Sequence, residues 1–136
     1  MSFFEKDYIE IWYSRKEHFL VLKWLDSITT TEFREGMNAL IEAMEYFKTG
    51  KVIYDLTLAG ALHPDDQHWA VSDWQERAVK AGQSHVAIVL ASDIFAQMAI
   101  IDTMNDVTLP TASFDSLKSA IDWIRKQGDT NSRTIL

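Results

Sequence analysis

The segment Val86–Leu90 is apolar at every position and constrains the fold more than any other part of the chain. A strand whose two faces are both apolar has to be covered on both sides, which is typical of the centre of a parallel sheet. Parallel strands need long crossover connections, and these are usually helices. The chain is therefore expected to be an α/β protein in which strands and helices alternate.

The strongest helix signal begins at Thr29. Thr29 and Glu32 have the spacing of a capping box, and Ile28 and Phe33 are placed as a hydrophobic staple. Apolar residues then recur at intervals of three and four, which predicts one buried face: Phe33, Met37, Leu40, Ile41, Met44 and Phe47. Gly50 is a natural stop for this helix, because glycine accepts positive φ beyond the last turn.

Other segments complete the predicted order. Strands are expected at Tyr8–Tyr13, Phe19–Leu25, Lys51–Asp55, His85–Leu90 and, at a sheet edge because of Pro110, Leu109–Phe114. Helices are expected from Pro64 to about Lys80, from Ser92 or Asp93 to about Met104, and after Asp115-Ser116. This order predicts a mixed, mostly parallel five-stranded sheet with an N-terminal β-hairpin and four helices. We expect one domain over residues 1–126 and a flexible tail over 127–136.

The first two strands are predicted to pair as a hairpin with Ser14–Glu17 as its turn. With that turn Tyr13 pairs with His18, Ile11 with Leu20, and Ile9 with Leu22, on an almost wholly apolar face. The opposite face mixes aromatic, aliphatic and charged residues, which predicts partial exposure: Tyr8, Glu10, Trp12, Phe19, Val21 and Lys23.

Charge and composition exclude several classes of partner. The net charge is −7 without a compensating basic patch, which argues against nucleic acids and anionic membranes. The absence of cysteine excludes a thiolate nucleophile and a disulfide framework. No apolar run approaches the roughly 20 residues of a membrane span, so no integral membrane association is expected. The N-terminal residues lack the pattern of a signal peptide, and the expected location is the cytoplasm.

The predicted order resembles the SpoIIAA-like fold, which STAS domains share with a group of small bacterial proteins often grouped with them. The resemblance spans about residues 8–125, and its local markers are the strand end Val52–Leu56, the segment Pro64–Trp69, and Ala120–Ile124 in the last helix. It implies a regulatory or protein-binding domain.

In STAS regulators an aspartate ends the third strand, and an Asp-Ser pair opens the next helix, where the serine is phosphorylated by a partner kinase. Asp55 matches the strand-end aspartate. Pro64 or Asp65 stands where that serine would be, and no Ser or Thr lies between Thr57 and Ser72. We therefore expect no phosphorylation switch at the start of this helix.

The densest polar cluster comprises Asp55, Thr57, His63, Asp65, Asp66, Gln67 and His68. It follows the carboxyl end of a predicted strand, where α/β sheets place ligand sites, and we expect it to bind a ligand or partner. The alternatives are a divalent metal held by His63, His68 and a carboxylate, and a plain helix cap made by Asp65 and Asp66. Metal-binding histidines on one helix prefer a spacing of four, whereas these are five apart, so no metal or other cofactor is expected.

Aromatic residues on the hairpin suggest a second site. If all four helices cover one side of the sheet, as the resemblance implies, then Tyr8, Trp12 and Phe19 face outward and predict an interface with a protein partner or in a homodimer. The alternative is that Phe3 and Phe4 fold back over them. The predicted third helix, apolar over a wide arc, is the other candidate surface for self-association.

Catalytic signatures are missing from the sequence. It contains no glycine-rich phosphate loop, nucleophile elbow or zinc-protease helix, and the chain is not expected to be an enzyme. The hypothesis is a non-catalytic STAS-like regulatory or protein-binding domain. One alternative is a small-molecule or lipid-binding domain, which an apolar cavity beneath the third helix would favour. Another is an enzyme using Asp55, His63 and Asp66, which a convergent pocket with buried charges would favour.

Overall fold

The computed structural model describes residues 1–91, 94 and 109–127. They form one sheet of six strands in the order β1-β2-β3-β4-β5-β6. The strands are β1 (Ser2–Lys6), β2 (Ile9–Ser14), β3 (Phe19–Trp24), β4 (Lys51–Asp55), β5 (His85–Val89) and β6 (Thr111–Phe114). The first three strands pair antiparallel, and β3 to β6 pair parallel. The predicted mixed, mostly parallel sheet is confirmed, with one strand more than expected.

Helices connect the parallel strands. They are α1 (Thr30–Phe47), α2 (Pro64–Trp69), α3 (Gln75–Lys80) and α4 (Leu117–Lys126), and the π-helical segment Ala70–Trp74 joins α2 to α3. None of the helices described has the length and hydrophobicity needed to cross a bilayer. The predicted third helix, apart from Ile94, and the predicted tail from residue 128 lie outside the described residues.

The additional strand is β1, at the edge of the sheet. Its residues pair with β2 from Ser2 opposite Trp12 to Lys6 opposite Ile9, with an irregularity after Ser2. The Met1 ammonium donates to the Tyr13 carbonyl oxygen at 3.0 Å, which fixes the start of the strand. This strand was not predicted, because Glu5 and Lys6 are both charged and the segment therefore lacks the alternation of apolar and polar residues that is typical of a strand.

The hairpin register differs from the prediction by two residues. The turn is formed by residues 15–18, so that Tyr13 pairs with Leu20 and Ile11 with Leu22. His18 adopts a left-handed conformation with φ 59°, and its ring contacts the Tyr13 hydroxyl at 2.6 Å. A shift of two residues keeps every side chain on its predicted face, because side chains alternate with a period of two.

Helices cover both faces of the sheet, contrary to the expectation that all would lie on one side. On the first face, α1 and the helical segment 64–80 cover a core that includes Ile9, Ile11, Leu20, Leu22 and Trp24. On the second face, Ala120 and Ile124 of α4 pack against Phe19, Val21, Ile53, Ala87 and Val89.

This arrangement corrects the expectation that three hairpin aromatics face outward. Phe19 is 2% exposed beneath α4. Tyr8 stacks on Trp24 and packs against the first-face core, whereas Trp12 is half-buried beside Phe19. The alternative is also wrong, because Phe3 and Phe4 pack against the first-face core.

Helix α1 starts as predicted and ends earlier than expected. The Thr29 hydroxyl accepts from the Glu32 backbone N–H at 3.2 Å, and the Glu32 carboxylate accepts from the Thr29 N–H at 3.0 Å. The end is set by Lys48, which takes the left-handed conformation expected of Gly50. Gly50 has a steric role instead, since a Cβ there would collide with the Gly82 carbonyl.

Candidate functional site

The structure divides the predicted polar cluster into separate groups. Asp55 ends β4 opposite Lys23 of β3, on the face that α4 covers. Helix α2 and its polar residues belong to the other side of the sheet, where α1 lies. The seven residues therefore do not converge on one point, as a shared ligand site would require.

Asp55 organises the turn that follows its own strand. Its side chain is 4% exposed, and Oδ1 accepts from the Thr57 backbone N–H at 3.1 Å and from the Thr57 hydroxyl at 2.7 Å. A carboxylate that accepts two hydrogen bonds from a residue two positions later stabilises an Asx-type turn. This contact accounts for Asp55 and Thr57 as a structural pair.

The start of α2 is a helix cap, but His63 makes it, whereas the plainer alternative assigned it to Asp65 and Asp66. His63 is the N-cap, and its Nδ1 accepts from the Asp65 backbone N–H at 3.1 Å. Gln67 Nε2 donates to the Leu62 carbonyl, and the His68 carbonyl accepts from the Ser72 hydroxyl. Within residues 1–91, 94 and 109–127 no group of three His, Asp or Glu side chains is arranged to hold a metal ion.

Asp66 is the residue that attaches α2 to α1. It is 2% exposed and accepts from the Thr30 hydroxyl at 2.9 Å, and its other oxygen lies 3.5 Å from Arg34 Nε. The Arg34 guanidinium lies over the Trp69 ring, 5.0 Å from its centroid. Sequence reasoning missed Thr30 and Arg34. Their spacing of four, which places them on one helix face, was the available signal.

Two adjoining cavities lie between the first face of the sheet and its helices. The larger, here called the Trp74 cavity, has a volume of about 380 Å³, and its described lining is Met37, Tyr54, Ala70, Val71, Trp74, Gln75, Gln83, Val86, Ile88, Leu109 and Thr111. The smaller, the Phe33 cavity, has a volume of about 230 Å³ and is lined by Trp24, Asp26, Ile28, Phe33, Met37, Tyr54, Leu56, Ala59, Gly60, Leu62 and Ile88. Met37, Tyr54 and Ile88 line both cavities, and none of the seven predicted site residues is among the described lining.

One polar pair stands in the apolar wall of the Trp74 cavity. The Tyr54 hydroxyl donates to Gln83 Oε1 at 2.5 Å, and Gln83 is 6% exposed. Burial raises the pKa of the Tyr54 phenol well above its usual range, so the hydroxyl stays protonated and keeps donating. This pair was not predicted, because its members are 29 positions apart and belong to no local motif.

The sequence profile of the SpoIIAA-like family matches residues 19–125, which is most of the chain. The chain belongs to the SpoIIAA-like family. Its structure is similar to the crystal structure of an uncharacterised DUF3478-family protein with a SpoIIAA-like fold from Shewanella loihica PV-4. That match has a TM-score of 0.59 and 19% sequence identity, and covers 85% of this chain and 91% of the other. A search of curated proteins found no significant match.

Membership of the SpoIIAA-like family and the observed fold agree with the resemblance inferred from the sequence. SpoIIAA-like domains are generally non-enzymatic, and the fold suggests a regulatory or binding domain. In this SpoIIAA-like chain, Asp65 is exposed and Asp66 is used to attach α2 to α1. The Trp74 and Phe33 cavities are the two described cavities with a mostly apolar lining.

Proposed function

We propose that this SpoIIAA-like domain binds a small apolar molecule in the Trp74 and Phe33 cavities. The observation that carries the proposal is their position side by side, beneath helices, with walls made mostly of apolar side chains. Ligand sites commonly have volumes of about 300–1,000 Å³ and a largely apolar lining with few polar groups. The volume of about 380 Å³ places the Trp74 cavity within that range.

The segment Ala70–Trp74 provides one wall of the larger cavity. Its π-helical turn interrupts the helical run from Pro64 to Lys80, and Ala70, Val71 and Trp74 line the space. Single π-helical turns occur frequently at functional sites. The Trp74 indole N–H donates to the Met37 carbonyl at 2.7 Å, which holds this wall at a fixed distance from α1.

The separation of the polar residues supports binding over catalysis. General acid–base or nucleophilic chemistry needs the participating groups within hydrogen-bond reach of one another. Asp55 faces α4, whereas His63 and Asp66 lie on α2 across the sheet. Asp66 is also engaged by Thr30 and Arg34. The enzyme alternative therefore has no geometric support among these three residues.

Displacement of a neutral fluorescent probe tests the proposal. We expect N-phenyl-1-naphthylamine to bind saturably to the unmodified chain. Ala70→Phe puts a ring into the Trp74 cavity and is expected to weaken probe binding by about tenfold or more. Lys118→Phe is the control, because Lys118 is exposed on α4, which covers the other face of the sheet, and is not among the lining residues.

Native mass spectrometry of protein purified without denaturation provides an independent measurement. We expect a retained apolar molecule in the unmodified protein and its loss in Ala70→Phe. Absence of saturable probe binding, or equal binding by the two phenylalanine variants, would contradict a ligand site in these cavities.

A protein interface at the hairpin is the second candidate function, and half-exposed Trp12 on the second face supports it. Phe19 is buried under α4, so a surface contact would involve Trp12 rather than both rings. If the interface exists, sedimentation should detect a dimer that Trp12→Ser shifts toward monomer. Tyr46→Ser removes another exposed aromatic ring and is expected to leave the association unchanged. A purely monomeric chain at high concentration would end this candidate.

A further inference from the structure

We infer that the cavities select a neutral apolar molecule carrying one hydrogen-bond acceptor, such as a ketone, ester or alcohol, and that Gln83 binds this acceptor. This inference rests on the proposed function and specifies the chemical class of its ligand. Two features of the lining lead to it: the charges of the residues around the cavities and the unused donors of one buried side chain.

The lining disfavours an anion. Among the described residues around the two cavities there is no Lys, Arg or His, and Asp26 carries the only charge. A carboxylate or phosphate moved from water into such surroundings loses its hydration without gaining a countercharge.

Gln83 provides the donor that a neutral acceptor needs. Gln83 is only 6% exposed, and it lines the Trp74 cavity. Oε1 accepts from the Tyr54 hydroxyl, so the amide oxygen is engaged and the two N–H groups of Nε2 remain as donors. The described part of the chain provides no hydrogen-bond acceptor for Nε2, whereas the nearby Thr111 hydroxyl already donates to the Leu109 carbonyl.

Because no acceptor in the described part of the chain meets Nε2, a ligand oxygen in the cavity would be its hydrogen-bond partner in place of water. A hydrocarbon without an acceptor would fill the space but leave the amide unpaired. An acceptor on an otherwise apolar chain satisfies both the amide and the walls. Because the Tyr54 hydroxyl remains protonated, this donor arrangement is retained across the physiological pH range.

Competition between two ligands of equal chain length tests the inference. N-phenyl-1-naphthylamine is displaced with 2-dodecanone, a neutral acceptor, and with dodecanoate at about pH 8, where the carboxylate is ionised. We expect the ketone to bind about tenfold or more tightly than the carboxylate. This comparison uses the unmodified chain and does not depend on any variant folding.

Gln83→Leu then tests the assigned donor. It keeps a side chain of similar size, and we expect it to weaken ketone binding by about tenfold while the probe still binds. Gln127→Leu, at the end of α4 on the other face, is the matched control and should change neither. If the probe binds but dodecanoate binds as tightly as 2-dodecanone or more tightly, the inference of a neutral ligand is overturned and the proposed function is not. Unchanged ketone binding in Gln83→Leu overturns the role of Gln83, and absence of probe binding overturns the proposed function.

Discussion

Tyr54 lines both cavities and also forms the polar contact in their wall. Its ring lies in the wall that the two cavities share, and its hydroxyl is bonded to Gln83. The sequence identified the strand in which Tyr54 lies, but not that this position faces a cavity. That property depends on residues from α1, the π-helical segment and β5, which are distant in the chain.

Ultraviolet difference titration can detect the protected phenol of Tyr54. Because burial raises its pKa, Tyr54→Phe should leave the absorbance change near pH 10 almost unaltered while the chain is folded. Tyr46→Phe, at a ring that is 72% exposed, is the matched control. Equal losses in the two variants would contradict the raised pKa of Tyr54.

The same shift predicts how stability depends on alkaline pH. A tyrosine whose folded pKa is raised keeps its proton in the folded state after it has lost it in the unfolded state. Its contribution is therefore complete below about pH 10 and is lost as the pH rises above that value. In Tyr54→Phe this part of the alkaline decline should be absent from denaturant unfolding curves.

Leu40 and Ile88 are expected to differ in their contribution to stability. Both belong to predicted apolar elements, but Leu40 is 0% exposed, whereas Ile88 is half-buried and lines both cavities. Leu40→Ala should cost about 2–5 kcal/mol in the free energy of unfolding. Ile88→Ala should cost about 2 kcal/mol or less, because its side chain already borders open space. Urea unfolding that ranks the two in the opposite order would show that the cavity wall is misassigned.

At the level of elements, the contact between α1 and α2 determines how the cavity-forming segment is held. Asp66 joins Thr30 and Arg34 across the two helices, and Trp74 bonds to the Met37 carbonyl farther along the segment. Only the second of these contacts borders the Trp74 cavity directly. The first fixes the beginning of the segment and therefore the direction in which it leaves the sheet.

Asp66→Ala is expected to loosen the whole segment 64–80. It leaves the Thr30 hydroxyl and Arg34 without their acceptor, at a cost of about 1–3 kcal/mol. Amide hydrogen exchange in residues 64–80 should accelerate more than exchange in the sheet. Asp65→Ala removes a carboxylate from the same helix turn but from an exposed position, and should have a smaller effect. If amide exchange in residues 64–80 accelerates equally in both variants, the effect comes from the lost charge at the helix N-terminus and not from the contact of Asp66 with α1.

The sequence predicted elements well where the determining interactions are local. The capping box at Thr29 and the stripe from Phe33 to Met44 are confirmed because they depend on residues three and four apart. Strand β1 was missed because its edge position allows Glu5 and Lys6 in a short strand. The helical run was predicted correctly over 64–80, but its π-helical turn was not, since that turn reflects packing against α1.

The candidate site was harder to predict than the fold. Sequence reasoning grouped polar residues by proximity in the chain, whereas the structure places Asp55 on the second face of the sheet and bonds Asp66 to α1 on the first. The cavities are bordered instead by apolar residues such as Met37, Trp74 and Ile88, which look like ordinary core residues in a sequence. A cavity between the sheet and its helices cannot be inferred from hydrophobic periodicity, because periodicity indicates which face of an element is covered and not how closely its neighbours pack against it.

Across the whole molecule, α4 closes the second core. Ala120 and Ile124 cover Phe19, Val21 and the inner positions of β4 and β5, and Arg125 lies 3.6 Å from Glu17 of the hairpin turn. We propose that residues 1–126 form the folding unit, as the sequence predicts. This makes the last helix a necessary part of the domain.

Two truncations test that boundary. A chain ending at Gln127 should keep the unfolding free energy of the full chain. A chain ending at Asp115 exposes the second face and should lose cooperative thermal unfolding, since several fully buried apolar side chains become solvated. Cooperative unfolding of the shorter chain would show that the first core is sufficient for folding.

The sheet order has a consequence for how the protein emerges during synthesis. Each strand from β2 to β6 pairs with the strand made immediately before it, so no strand has to be inserted between two that already exist. Such a sheet can extend at one edge as the ribosome releases the chain, with short separations between successive pairings. Among the described residues, the helix that covers Phe19 and Val89 on the second face is Leu117–Lys126, which emerges after all six strands. Transient association with chaperones or with other nascent copies is therefore expected to act on that face, late in translation and before α4 is complete.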